Sequence, residues 1–262
     1  MMLPDYPFMF WIAAIIAVTS FSMAKTGFGS GVGIIATPLL SLTIPVTDAV
    51  AILLPLLILT DIQAVSHYRF NFDRRSIKLM IPGAMVGIAL GGLFFGYFRG
   101  NQRILQFSIG LLALGFVAFQ ILRVAILGYI EKRRPRAIEG IFMGGLSGFI
   151  STLAHAGGPP VVIYLLPQKF PRGLYVGTTV LFFTAVNMTK LIPYYALDLL
   201  RVGNLTTIII LAPLTYMGVR LGVFLNQRFS DLWFNRVVYI ILFLTGLQLV
   251  VGRSIVSLIF GG

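Results

Sequence analysis

The chain has 262 residues, 58% of them hydrophobic and only 11% charged, with a mean hydropathy of +0.94. These values exclude a soluble globular domain and describe a polytopic membrane protein. The net charge of +12 comes with no cysteine, so disulfides, thiolate chemistry and cysteine-based metal sites are excluded. Lys and Arg gather in short clusters between apolar runs, which is the loop pattern of a membrane protein and not a nucleic-acid-binding stripe.

Phe8 to Ala24 is the first apolar segment. The residues before it have no basic n-region and no clear cleavage site follows, so it is expected to be a retained span and not a signal peptide. Next come a glycine-broken piece at Gly31 to Thr43, then Asp48 to His67, Leu79 to Phe98 and Ile104 to Leu122. After a basic linker the pattern returns: Gly140 to Ala154, a second broken piece at Pro159 to Gln168, then Gly173 to Tyr194, Val202 to Leu225 and Trp233 to Gly252. The expected fold is therefore all-α, in two halves of five apolar segments, residues 1–130 and 131–262.

The halves also correspond residue by residue. At a separation of 126 (157 minus 31), Gly31 aligns with Gly157, Leu39-Leu40 with Leu165-Leu166, Pro45 with Pro171 and Val50 with Val176. At 131, Pro82 aligns with Pro213, Gly87 with Gly218, Gly91 with Gly222 and Gly115 with Gly246. Ordered matches of this kind indicate duplication. Each half crosses an odd number of times whether its broken piece spans fully or returns as a re-entrant hairpin. The second half is then inverted, and the broken helices of the two repeats are expected to meet at a central site.

One set of alternate loops holds Arg69, Arg74, Arg75, Lys78, Arg123, Lys132, Arg133, Arg134, Arg136, Lys169, Arg172 and Arg228, and the other holds Arg99, Arg103, Arg201 and Arg253. Twelve against four places the first set in the cytoplasm and both termini outside.

Within the membrane region the ionisable residues are Lys25, Asp61, His155 and Lys190, and a charge at that depth is a functional candidate. Lys25 and Lys190 could instead snorkel to an interface; the glycines after Lys25 favour the site. Asp61 aligns with Asn187 and Gln63 with Thr189 at the 126 separation, so these polar positions are expected to face one another across the pseudo-twofold axis. The bland alternative is a helix-to-helix hydrogen bond of about 1 kcal/mol. His155 precedes Ala156-Gly157-Gly158-Pro159-Pro160, which must break a helix. Ser147, Ser151 and Thr152 rank behind it, since hydroxyls also serve ordinary helix packing. The only other histidine, His67, falls at a loop edge, so no metal site is expected, and no cofactor either.

KTGFGSGVG lacks the GK[ST] ending, preceding strand and following soluble helix of a nucleotide loop. Its glycines Gly27, Gly29 and Gly31, like Gly157 and Gly158, instead suit helix ends whose free N–H groups attract an anion. The expected site is electropositive, formed by Lys25, Gly27, Gly29, Gly31, Gln63, His155, Gly157, Gly158, Asn187 and Lys190, with Asp61 or His155 as a proton carrier.

The stretch KTGFGSGVGIIATPLL and the second-half GGLSGFISTLAHAGGPPVVIYLL, in a two-half layout, resemble the sulfite exporter TauE/SafE family, also called toluene sulfonate uptake permeases. The resemblance covers nearly the whole chain and carries over to Lys25, Gly27, Gly29, Gly31 and Pro38 in the first half and Gly157, Gly158, Pro159 and Tyr164 in the second. It implies a secondary transporter, and not an enzyme, moving small sulfur-containing anions such as sulfite, sulfoacetate or other sulfonates across the inner membrane. A passive anion channel and a membrane-embedded enzyme are the alternatives.

Overall fold

The computed structural model describes residues 6–23, 25, 32–68, 71–130, 135–200, 205–226 and 231–252, and among them there is no strand. The helices are α1 (Phe8–Met23), α2 (Ala36–Leu40, entered through a 3-10 turn at Val32–Ile35), α3 (Val46–Tyr68), α4 (Arg74–Phe98), α5 (Gln102–Ile130), α6 (Ala137–Ala154), α7 (Gly158–Leu165, leaving through a 3-10 turn at Leu166–Gln168), α8 (Arg172–Ala196), α9 (Leu205–Asn226) and α10 (Asp231–Val251). Among the described residues each of the ten apolar segments read from the sequence contains a helix, and α3, α4, α5, α6 and α8 contain stretches long and apolar enough to cross a membrane.

Two boundaries move for identifiable reasons. Helix α4 begins at Arg74 and not at the start of the apolar run, because the Asp73 carboxylate accepts a hydrogen bond from the Ser76 backbone N–H at 2.7 Å and caps a polar first turn. Helix α5 continues past Leu122 to Ile130, carrying Arg123 inside it. Pro45 and Pro171, aligned in the sequence, each stand immediately before a long helix and accept its first backbone bonds, from Asp48 and Ala49 in one case and Tyr175 in the other. Proline suits this place because its fixed φ starts a helix and its missing N–H lies among the unpaired donors.

The broken second-half piece returns along the helix before it. Gly157 lies against Ser147, and seven residues further on the Tyr164 ring lies against Gly140, seven residues back along α6. Helices α6 and α7 are therefore antiparallel. The eight-residue α7 rises about 12 Å, well short of the roughly 30 Å hydrocarbon core. The pair forms an antiparallel hairpin of one long and one short helix. In the first half α2 likewise packs on α1.

The helices approach through glycine. A Cβ on Gly83 would collide with the Ile141 carbonyl oxygen, one on Gly87 with that of Gly145, one on Gly144 with that of Met80 and one on Gly148 with that of Ala84, which brings the backbones of α4 and α6 together. Lipid tails are as apolar as any helix face, so association here depends on such close packing. Gly218 on α9 makes the matching approach to α1, where an added Cβ would stand 2.6 Å from that of Ser22. Gly246 meets Gly110 on α5, and its sequence counterpart Gly115 faces open space. The longest contacts run α4 to α6, α5 to α10, α1 to α9, and α3 to α8.

Gly87→Val is expected to lower the thermal unfolding temperature in detergent by several degrees, since overpacking costs about 1–3 kcal/mol or more. Gly115→Ala, with room for its methyl group, is expected to leave it unchanged. Equal behaviour of the two variants would contradict the close α4–α6 approach.

Candidate functional site

Helices α3 and α8 cross with Asp61 and Asn187 at the contact. The Asn187 side-chain amide donates to Asp61 Oδ2 at 2.6 Å, and Lys25 Nζ forms an ion pair with Asp61 Oδ1. Asp61 is fully buried and Asn187 nearly so. A carboxylate without water must be paired and hydrogen-bonded on both oxygens to remain charged, and these two partners do that. The bonded residues Asp61 and Asn187 are the two that align at the separation of 126.

The second cluster forms where α6 ends. Pro159 and Pro160 prevent the helix from continuing, and His155 turns the chain in the left-handed region at φ 53°. The Ser147 hydroxyl donates to the Gly157 carbonyl at 2.7 Å. Only glycine fits there, because a Cβ at 157 would lie 2.6 Å from the Ser147 oxygens. The Tyr194 hydroxyl donates to the Thr152 carbonyl at 2.7 Å, satisfying one of the acceptors that a helix end leaves open.

Lys190 on α8 points into this break. Its ammonium faces three acceptors: the Ser151 carbonyl at 3.2 Å, the Ser151 hydroxyl at 3.1 Å and His155 Nδ1 at 2.8 Å. His155 Nε2 lies 3.1 Å from the Val50 carbonyl. An ammonium at Lys190 leaves Nδ1 as the acceptor and Nε2 as the donor to that carbonyl, and through these contacts the ring ties α6 to α3 and α8. Lys25, Asp61, His155 and Lys190 are thus gathered at one centre, the carboxylate paired with Lys25 and Lys190 held by Ser151 and His155.

Beside these groups is a cavity of about 110 Å³, lined by Phe21 and Lys25 from the α1 side, Ile34, Leu57, then Ser151, His155 and Gly158 at the break, and a stripe of α8 from Tyr175 to Asn187. Of the site residues expected from sequence, Lys25, His155, Gly158 and Asn187 line it, and Asp61 and Lys190 are bonded directly to lining residues. Gly157 shapes the break behind it. Gln63 does not line it; its side-chain oxygen is buried without a hydrogen-bond partner among the described residues. Thr189 bonds back to the Ala185 carbonyl. Gly27, Gly29 and Gly31 lie outside the described residues. Tyr164 packs on Gly140 and stays away from the cavity. The site residues expected from sequence did not include Tyr175, Val176, Thr179, Val180 and Phe183, whose places before Asn187 at helical spacing put them on its face of α8. That periodicity was the available signal, though apolar residues on a membrane helix read equally well as lipid-facing.

A multi-pass helical membrane protein with a cavity beside buried ionisable side chains at a helix break has the layout of a solute transporter. Residues 12–249 match the family model for the sulfite exporter TauE/SafE, and the chain belongs to that family. Membership makes it a membrane transporter of the sulfite and sulfonate type. No curated protein and no solved structure matches the chain.

Asp61→Asn leaves Lys25 without its counter-charge and is expected to destabilise the protein by about 3 kcal/mol. Lys25→Met combined with Asp61→Asn is expected to recover part of that loss. A double-mutant cycle on thermal unfolding checks this, and strictly additive losses would contradict the coupling.

Proposed function

We propose that the chain is a secondary transporter that moves small sulfur-containing anions, sulfite or sulfonates such as sulfoacetate, across the inner membrane by alternating access. The observation that carries this is the convergence of Lys25, Asp61, His155 and Lys190 beside one cavity between the helices. Such a site attracts one monoanion, and Lys25, Ser151, Gly158 and Asn187 face the space where its oxygens would lie. Because Asp61 already neutralises one lysine, substrate and carboxylate compete for Lys25. Protonation of Asp61 frees that ammonium, which couples anion binding to a proton. His155, with both ring nitrogens engaged, holds Lys190 in place and is the second candidate for the proton.

Alternating access falls to the two repeats, 1–130 and 131–262, related by an in-plane pseudo-twofold axis. The packing pattern supports the assignment: exchanging α1 with α6, α3 with α8, α4 with α9 and α5 with α10 turns the α1–α9 contact into α6–α4 and the α3–α9 contact into α8–α4, while α3–α8 and α5–α10 map onto themselves. The Asp61–Asn187 bond then lies on the axis. The starts of α4, α6 and α8 share one end of the molecule. There Asp73 N–H donates to Thr178 Oγ1 at 2.8 Å and Gln168 bonds Ser76, and Arg74, Arg75 and Lys78 share a pocket with Ala137. We assign this basic end to the cytoplasm.

Reconstituted in liposomes, the protein is expected to take up labelled sulfite or sulfonate saturably and to show trans-stimulation, which a passive channel lacks. Lys190→Met and Lys25→Met are each expected to cut flux at least about tenfold, as losing a buried charge contact does. Flux left intact by both substitutions, without competition from sulfonates, would refute the proposal.

A further inference from the structure

A second basic site lies at the end of the molecule where α4 and α6 begin. A pocket of about 450 Å³ is lined by Arg74, Arg75, Lys78, Leu79 and Ala137, and no carboxylate is among its lining residues. All three cations are solvent-exposed and fall within the first turns of α4. Like charges crowd one another there, and the positive end of the helix dipole opposes cations at that place. Helix stability therefore does not account for them.

Charges of the opposite sign nearby leave the balance positive. Asp73 is occupied in capping α4, and Glu139 is in the first turn of α6, while Arg136 adds a further exposed cation just before that helix. Below the pocket the outer surface becomes apolar: Met85 and Val86 on α4 and Ile138, Ile141 and Phe142 on α6 are all exposed. In a membrane these side chains face acyl chains. None of the pocket residues lines the central cavity, so the pocket is not part of that site.

We propose that this pocket binds the headgroup phosphate of an anionic phospholipid, whose acyl chains lie over the exposed faces of α4 and α6. The three cations attract a phosphate's negative charge, Arg74 and Lys78 are one helical turn apart on the same face, and the guanidinium groups provide planar, two-pronged donors for phosphate oxygens. The apolar surface continuous with the pocket favours a lipid over a soluble anion. Basic pockets between membrane helices recognise lipid headgroups through the same combination.

The purified full chain in detergent is titrated with phosphatidylglycerol, phosphatidylcholine or inorganic phosphate, with thermal unfolding temperature and bound lipid by native mass spectrometry as readouts. Phosphatidylglycerol is expected to raise the unfolding temperature saturably, and the other two are not. The triple variant Arg74→Gln, Arg75→Gln, Lys78→Gln is expected to weaken phosphatidylglycerol binding at least about tenfold, with Arg99→Gln at the opposite end unchanged. Ala137→Glu, which keeps the cations and puts a carboxylate in the pocket, is expected to weaken it too and provides the test if the triple variant does not fold. Undiminished phosphatidylglycerol binding in these variants would overturn the proposal. So would equal saturable stabilisation by inorganic phosphate, which would make the pocket a site for soluble anions.

Discussion

The fully buried carboxylate of Asp61 is the constraint on which the rest of the centre depends. A lone charge at that depth would cost more free energy than any single packing contact returns. It is held by Lys25 on one oxygen and the Asn187 amide on the other, and the three residues come from three separate parts of the chain. Satisfying it therefore fixes the end of α1 and the crossing of α3 with α8 together. Lys190 extends the constraint to α6, because its three acceptors exist only where that helix stops at Ser151 and His155.

The helix break follows from the same shortage of water. Open carbonyls at a helix end in a membrane need partners from the protein. Tyr194 takes the Thr152 carbonyl; the Ser151 carbonyl, already bonded to the His155 N–H, also accepts from Lys190, and Ser147 bonds the Gly157 carbonyl where α7 begins. Two of the three side-chain donors come from α8, which also carries Asn187 and the apolar cavity wall. Long helices brace the short broken ones, and the groups that satisfy the broken backbone also shape the place where a solute can sit.

Much of this was legible in the residues. Gly157-Gly158-Pro159-Pro160 required a break, and the break is there; Asp61 and Asn187, matched only by a shift of 126, share a hydrogen bond. The close approach of α4 to α6 could be suspected from the glycines at 83, 87, 144 and 148 but not assigned, since sequence does not say which helix a small-residue face will meet. Gln63 shows the opposite failure: two residues beyond Asp61 on a helix, it faces elsewhere, and intramembrane polarity alone could not reveal that. The early start of α4 depended on one capping carboxylate, a local hydrogen bond that hydropathy does not register.

The organisation that emerges is a centre of two lysines, one of them paired with a carboxylate, beside a cavity with room for a single small anion. The most direct measurement is a thermal-unfolding titration of the purified protein with sulfite, sulfoacetate, an aromatic sulfonate and chloride, made on the wild type and on Lys190→Met. A ligand that binds only the folded state raises the unfolding temperature according to its concentration over Kd. The account expects saturable stabilisation of the wild type by at least one sulfur oxyanion and its loss in Lys190→Met. No stabilisation by any of them, or the same stabilisation in the variant, would contradict it.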